Sequence, residues 1–223
     1  MSSFRTEFET RVRETEAYFD ILDRLDDAVL VEFEAKDSSR SRLDSPSELL
    51  KTMKGASFLL LYNLVESTMR NGIVAIFDEL KNKKVSFDDV RFELRVIALK
   101  NIGKVKAQDL SPLISTAATD VLVAAFRSDE LFDGNIDARK IRATAKTYGF
   151  SAQTKAVETQ GLLTVKTSRN DLSHGDKSFE EVGRERSIHE LKSVKKQVVD
   201  VLGDIIKNIE DYIDGRQYLA SPR

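Results

Sequence analysis

The stretch RNDLSHG, Arg169 to Gly175, puts an arginine, an asparagine and a histidine within six residues of a chain that has two histidines and no cysteine. A histidine can gain or release a proton near neutral pH, and an arginine grips a phosphate with a planar fork of donors. Those two groups are a minimal kit for cleaving RNA, because the substrate supplies its own nucleophile. The 2′-hydroxyl attacks the neighbouring phosphorus, so the protein need only move protons and stabilise charge. Neither a metal nor a covalent side chain is required, and DNA cannot react this way. The same residues also suit an ordinary polar helix end.

Geometry restricts the chemical reading. On a regular helix Asn170 and His174 lie about 40° apart, whereas Arg169 and His174 lie about 140° apart. Gly175 predicts a helix end at the histidine, which frees the imidazole, and a long arginine side chain can bend towards the same pocket. Asn170 could then orient the imidazole or a phosphate oxygen. The spacing alone is not selective: Arg184 and His189, in RERSIH, repeat it without the asparagine or the glycine, and His189 reads as a helix-surface residue. Other chemistries lack their patterns. The histidines have no zinc-site spacing, and neither phosphate-binding glycine loops nor a GxSxG turn occurs, so no metal and no cofactor are expected.

The elements that must position this stretch read as helices. Prolines occur only at 46, 112 and 222. Phe4, Phe8, Val12, Phe19, Leu22, Leu25, Val29 and Phe33 recur at helical spacing over residues 4–34. After KDSSRSRLD, the run SPSE predicts a second helix start, with Ser45 as cap, Pro46 first in the helix and Glu48 closing a capping box. That helix carries FLLLYNLVESTMRNGIVAIFDEL, on which Tyr62, Glu66 and Arg70 form a polar stripe that needs partners. The segment RFELRVIAL fits helix or strand, and SPLISTAATDVLVAAF, from Ser111, predicts a further helix. Asp137 is placed as cap of ARKIRATAKTYG, with Gly149 ending it. A helix from about Thr154 runs into RNDLSHG, and a last one spans 184–213 and stops at Gly215. One domain is expected over 1–213, with 83–135 as an insertion or extra helices and 214–223 as a loose tail.

Composition limits the partners. A formal net charge of −2 with 32% charged residues describes a mixed-sign surface, unsuited to wrapping a long nucleic-acid backbone. The charged N-terminus has no signal-peptide or membrane-span run, and with no cysteine the chain reads as cytoplasmic.

RNDLSHG resembles the RNxxxH signature of the HEPN superfamily. The core run of the second helix, GNIDARKIRATAKTYGF and GLLTVKTSRNDLSHGDKSFEEVGR, in that order, are similar to a stand-alone prokaryotic HEPN subgroup associated with toxin-antitoxin and defence systems. Together they cover most of residues 47–213. The resemblance implies an all-α, HEPN-like bundle of long antiparallel helices that dimerises so that two motifs face each other, acting as a metal-independent endoribonuclease on RNA, with a cognate antitoxin as a candidate partner. It makes Arg169 and His174 the catalytic pair and Asn170 their polar partner. Glu66 is a candidate for bridging or positioning Arg169, or is paired for structural reasons only; Tyr62 and Arg70 are weaker candidates. Lys166 and Lys177 flank the motif and either guide the phosphate chain or form a solvated face. The rival class is a non-catalytic HEPN-like binding or scaffold module.

Overall fold

The computed structural model describes residues 3–34, 46–104, 122, 126, 131–132, 134–155 and 159–220, with main chain only over 28–34 and at 46. Seven helices account for most of them: α1 (Ser3–Glu34), α2 (Pro46–Asn82), α3 (Phe92–Ile102), α4 (Ala138–Tyr148), α5 (Gln160–His174), α6 (Phe179–Arg184) and α7 (Ile188–Asp214). Among the described residues the one extended pairing is an isolated antiparallel bridge, Val90 with Leu219. The architecture is all-α, and none of these helices is long and apolar enough to cross a membrane.

The chain groups into two compact units. One comprises residues 6–65 and 156–201, the other residues 1–5, 66–155 and 202–223. In the first unit side-chain contacts set the directions of the helices. The Tyr18 hydroxyl donates to the Met53 carbonyl at 2.7 Å and Arg11 donates to Asn63 at 2.9 Å, so α1 and α2 run antiparallel. Lys192 pairs with Asp23, and Lys195 stands 5.1 Å over the Phe19 ring, which makes α7 antiparallel to α1 as well. Phe19, Leu22, Phe58, Leu61, Leu162 and Leu191 are buried in the core of this unit.

The short helix α6 reaches its place by close backbone approach. Ser178 and Glu181 form a reciprocal capping box at its start. Gly183 lies so near α2 that a Cβ there would stand 1.8 Å from the Lys51 carbonyl oxygen, and a Cβ on Gly55 would stand 2.2 Å from that of Phe179.

The second unit is closed by its ends. Asp137 caps α4 by accepting from the Arg139 and Lys140 amides, and Gly149 ends it at φ 88°, as the sequence predicts. RFELRVIAL is helical, in α3; the predicted start from Ser111, and Ser45 of the capping box, lie outside the described residues. The last helix, α7, ends at Asp214, directly before Gly215, as the sequence predicts, and Arg216, at φ 49°, takes the left-handed position that follows. The tail is not loose through residue 220: Tyr218 is buried, the Arg91 amide donates to its carbonyl at 2.8 Å, and the Ala220 amide donates to Asp89 at 2.8 Å. Arg91 also donates through Nη1 to the Gly149 carbonyl at 2.7 Å and forks onto Glu93, so one residue joins the end of α4 to the tail.

Burial sets the alkaline limit of this unit. The Tyr212 hydroxyl donates to the Tyr148 carbonyl at 2.9 Å, and burial pushes the Tyr148 phenol up to about 12, with Tyr212 raised in the same sense. A raised tyrosine favours the folded state while protonated, so its contribution is full below about pH 10 and lost as the pH rises towards 12. We expect Tyr148 alone to withdraw about 2–3 kcal/mol across that interval, read from urea midpoints between pH 9 and 12. A flat profile would contradict it.

Candidate functional site

RNDLSHG occupies the last turns of α5, within one compact unit. The helix starts at Gln160, later than the expected Thr154. Thr154 and Lys155 are not helical: the Thr154 hydroxyl and the Lys155 amide both donate to Asp204 Oδ2 at 2.6 Å. At the start of α5 the Gly161 amide donates to Gln197 Oε1 at 2.8 Å, which satisfies a helix-terminal donor across to α7. At the end, Gly175 takes φ 75°, its amide donates to Leu172 and the Asp176 amide donates to Asp171. That is a Schellman stop, and it leaves His174 as the last helical residue.

The buried face of α5 carries Gly161, Leu162, Val165 and Ser168. Arg169 follows Val165 by one turn and so points to the edge of that face, where its guanidinium lies 4.9 Å from the ring centroid of Tyr62 on α2. Tyr62 is 5% exposed. Arg169 Nη1 donates to Asn170 Oδ1 at 3.2 Å, so the asparagine contacts the arginine, where the sequence reading has it on the imidazole or the phosphate. His174 is exposed and makes no hydrogen bond or ion pair with the described residues. Arginine and histidine therefore sit on different sides of the helix, one half-buried on an aromatic ring and the other in solvent.

The supporting candidates divide. Glu66 belongs to the other unit, where Arg70 donates to it at 2.9 Å one turn away on α2; the pair is half-exposed. Lys166 is half-buried on α5. Lys177 lies between Glu185 at 2.6 Å and Asp171 at 3.3 Å, and these carboxylates hold its ammonium above the ordinary lysine range. It joins the turn after α5 to the turn after α6. The second RxxxxH match is split by a helix boundary: Arg184 ends α6 and pairs with Glu180, whereas His189 lies in the first turn of α7 behind a capping box of Ser187 and Glu190.

Tyr62, a weaker candidate in the sequence, is the residue that the structure places against Arg169. Its only signal in the sequence is an aromatic side chain on the polar stripe of α2. Tyr62→Leu should free the guanidinium while Tyr62→Phe should retain the stack. A double-mutant cycle of Tyr62→Leu with Arg169→Ala is expected to give a coupling of about 0.5–1 kcal/mol. Coupling indistinguishable from zero would remove Tyr62 from the site.

Among the described residues no three His, Asp or Glu side chains are grouped to hold a metal ion. The family model of MAE_28990-like HEPN matches residues 2–218, nearly the whole chain. The chain belongs to this HEPN family. No curated protein and no solved structure matches it. The HEPN assignment covers every helix above and includes RNDLSHG, and HEPN families include ribonucleases.

Proposed function

We propose that this HEPN protein is a metal-independent endoribonuclease that cleaves RNA by attack of the 2′-hydroxyl on the adjacent phosphorus. The observation that carries this reading is the state of the motif. Among the described residues nothing bonds to His174, which is exposed at the end of α5, while Arg169 is held on Tyr62 and donates, among those residues, to Asn170 alone, leaving donors for a phosphate. In this role His174 transfers the protons and Arg169 stabilises charge on the phosphoryl oxygens. Asn170 limits the rotation of the arginine.

One chain offers one such histidine, and its arginine points elsewhere on the helix, about 140° around. A homodimer would supply a second copy of each group, giving a base and an acid across a twofold axis. A dimeric toxin or defence effector acting in the cytoplasm, restrained by an antitoxin, is the setting this chemistry suits.

The test is incubation of a mixed RNA pool with the protein in EDTA, followed by analysis of product ends and of oligomeric state. Cyclic phosphate ends from a dimeric species are expected, together with loss of cleavage in a variant forced to be monomeric. A fully active monomer would refute the shared site. No cleavage of diverse RNAs by a folded dimer would favour the second reading, a non-catalytic binding module, which the divergence of Arg169 and His174 within one chain also suits.

A further inference from the structure

Gln160, Thr164, Thr167, Asp171 and His174 follow one another at steps of four and three along α5. At about 100° per residue they stay within a stripe about 80° wide, on the side of the helix away from Arg169. All of them but His174 line an open groove of about 250 Å³, whose opposite wall is Glu185 and Arg186 from the turn between α6 and α7, with Lys177 between. The whole groove lies in the compact unit that holds RNDLSHG.

Three properties of this groove go beyond the bonds made among the described residues. The side chains of Gln160, Thr164 and Thr167 make no hydrogen bond with the described residues. The two threonines do not return their hydroxyls to the carbonyl four residues back, as Thr10, Thr15 and Thr147 do. Arg186 is half-buried and has no direct ion pair among the described residues, its charge acting only at longer range on Glu190. The lining has two cations and two carboxylates, so it does not concentrate phosphate by charge; what it offers is hydrogen-bonding groups of both senses. Leu163 adds an exposed apolar surface at its edge. The volume is below the about 300–1,000 Å³ of drug-sized sites and suits one base with its ribose.

The direction of the stripe supplies the link to chemistry. His174 lies two turns beyond Thr167 on the same side of α5, about 10 Å along the axis. We propose that this groove is a nucleoside-recognition subsite, which holds one base of an RNA chain while the neighbouring phosphate reaches His174. Gln160 and the threonine hydroxyls bond the base edge, and Arg186 takes a flanking phosphate. The inference rests on the ribonuclease reading and adds to it a source of sequence preference.

The test compares the wild type with Gln160→Ala and with the near-isosteric pair Thr164→Val and Thr167→Val. Cleavage sites are mapped on a random-sequence RNA pool, and binding is measured with 2′-O-methyl RNA, which cannot react. The expected result is a flattened base preference and a KM raised about tenfold, with the single-turnover rate at saturation within about twofold of wild type. A wild-type cleavage profile and KM in these variants would overturn the groove and leave the nuclease standing. If the wild type cuts nothing, the ribonuclease reading fails, and the binding arm decides the groove. Binding of 2′-O-methyl RNA that is lost in the variants retains it as a nucleoside site, and absence of binding refutes both.

Discussion

Gly183→Ala is expected to cost at least about 3 kcal/mol of stability, at the upper end of what overpacking does. The added methyl would stand 1.8 Å from the Lys51 carbonyl oxygen and 2.9 Å from the Gly55 amide nitrogen, both backbone atoms of α2. No rotamer change relieves such a clash, so α6 must move away from α2 or the unit must loosen. Displacing α6 also moves the segment that carries Glu185 and Arg186, one wall of the groove on α5. Gly203→Ala is the control: a Cβ there meets nothing within 4 Å, and removing a helical glycine should add about 0.5–1 kcal/mol. Urea unfolding of the two variants beside the wild type reads both effects. Equal stability for Gly183→Ala would mean that α6 and α2 do not approach at backbone distance.

His174→Ala should abolish most cleavage, by about 10²–10⁴-fold, which is the usual worth of a positioned general acid or base. Its stability should match the wild type within about 0.5 kcal/mol, because the imidazole is exposed and engages none of the described residues. Arg169→Ala should also lose activity, by about 10²–10³-fold if the guanidinium stabilises phosphoryl charge. It differs from the histidine variant in leaving the Tyr62 ring unstacked, so a measurable loss of stability should accompany it. Rate and unfolding midpoint together therefore separate the two roles. A folded His174→Ala protein that cuts RNA at the wild-type rate would sink the assignment of RNDLSHG as the active centre.

The helices were legible in the sequence where local chemistry specifies them. The apolar spacing of α1, the Asp137 cap and Gly149 stop of α4, and Gly175 after His174 all depend on residues within a turn or two. Reading failed where a distant partner wins. Thr154 and Lys155 are taken from α5 by Asp204, fifty and forty-nine positions away, and the tail after Asp214 is held by Asp89 and Arg91 through main-chain bonds that leave no residue pattern. The break between α6 and α7 had a local signal, Ser187 with Glu190 three residues on, but the continuous helical spacing around it masked the cap.

For the site, the sequence by itself determined the chemical groups and their helix: Arg169, Asn170 and His174 on the last turns of α5, with about 140° between arginine and histidine as a consequence of helical geometry. It also carried the family resemblance that the match over residues 2–218 establishes. Only the tertiary structure decided which group is held by a residue from another helix. Arg169 rests on Tyr62, more than a hundred positions earlier, because packing of α5 against α2 brings the ring under the guanidinium. Lys177 is tied to Asp171 and Glu185, and Glu66 to Arg70, because a charge seeks the nearest opposite charge in space. A helix fixes its own faces through 3.6 residues per turn, but what each face meets is set by chain brought from elsewhere.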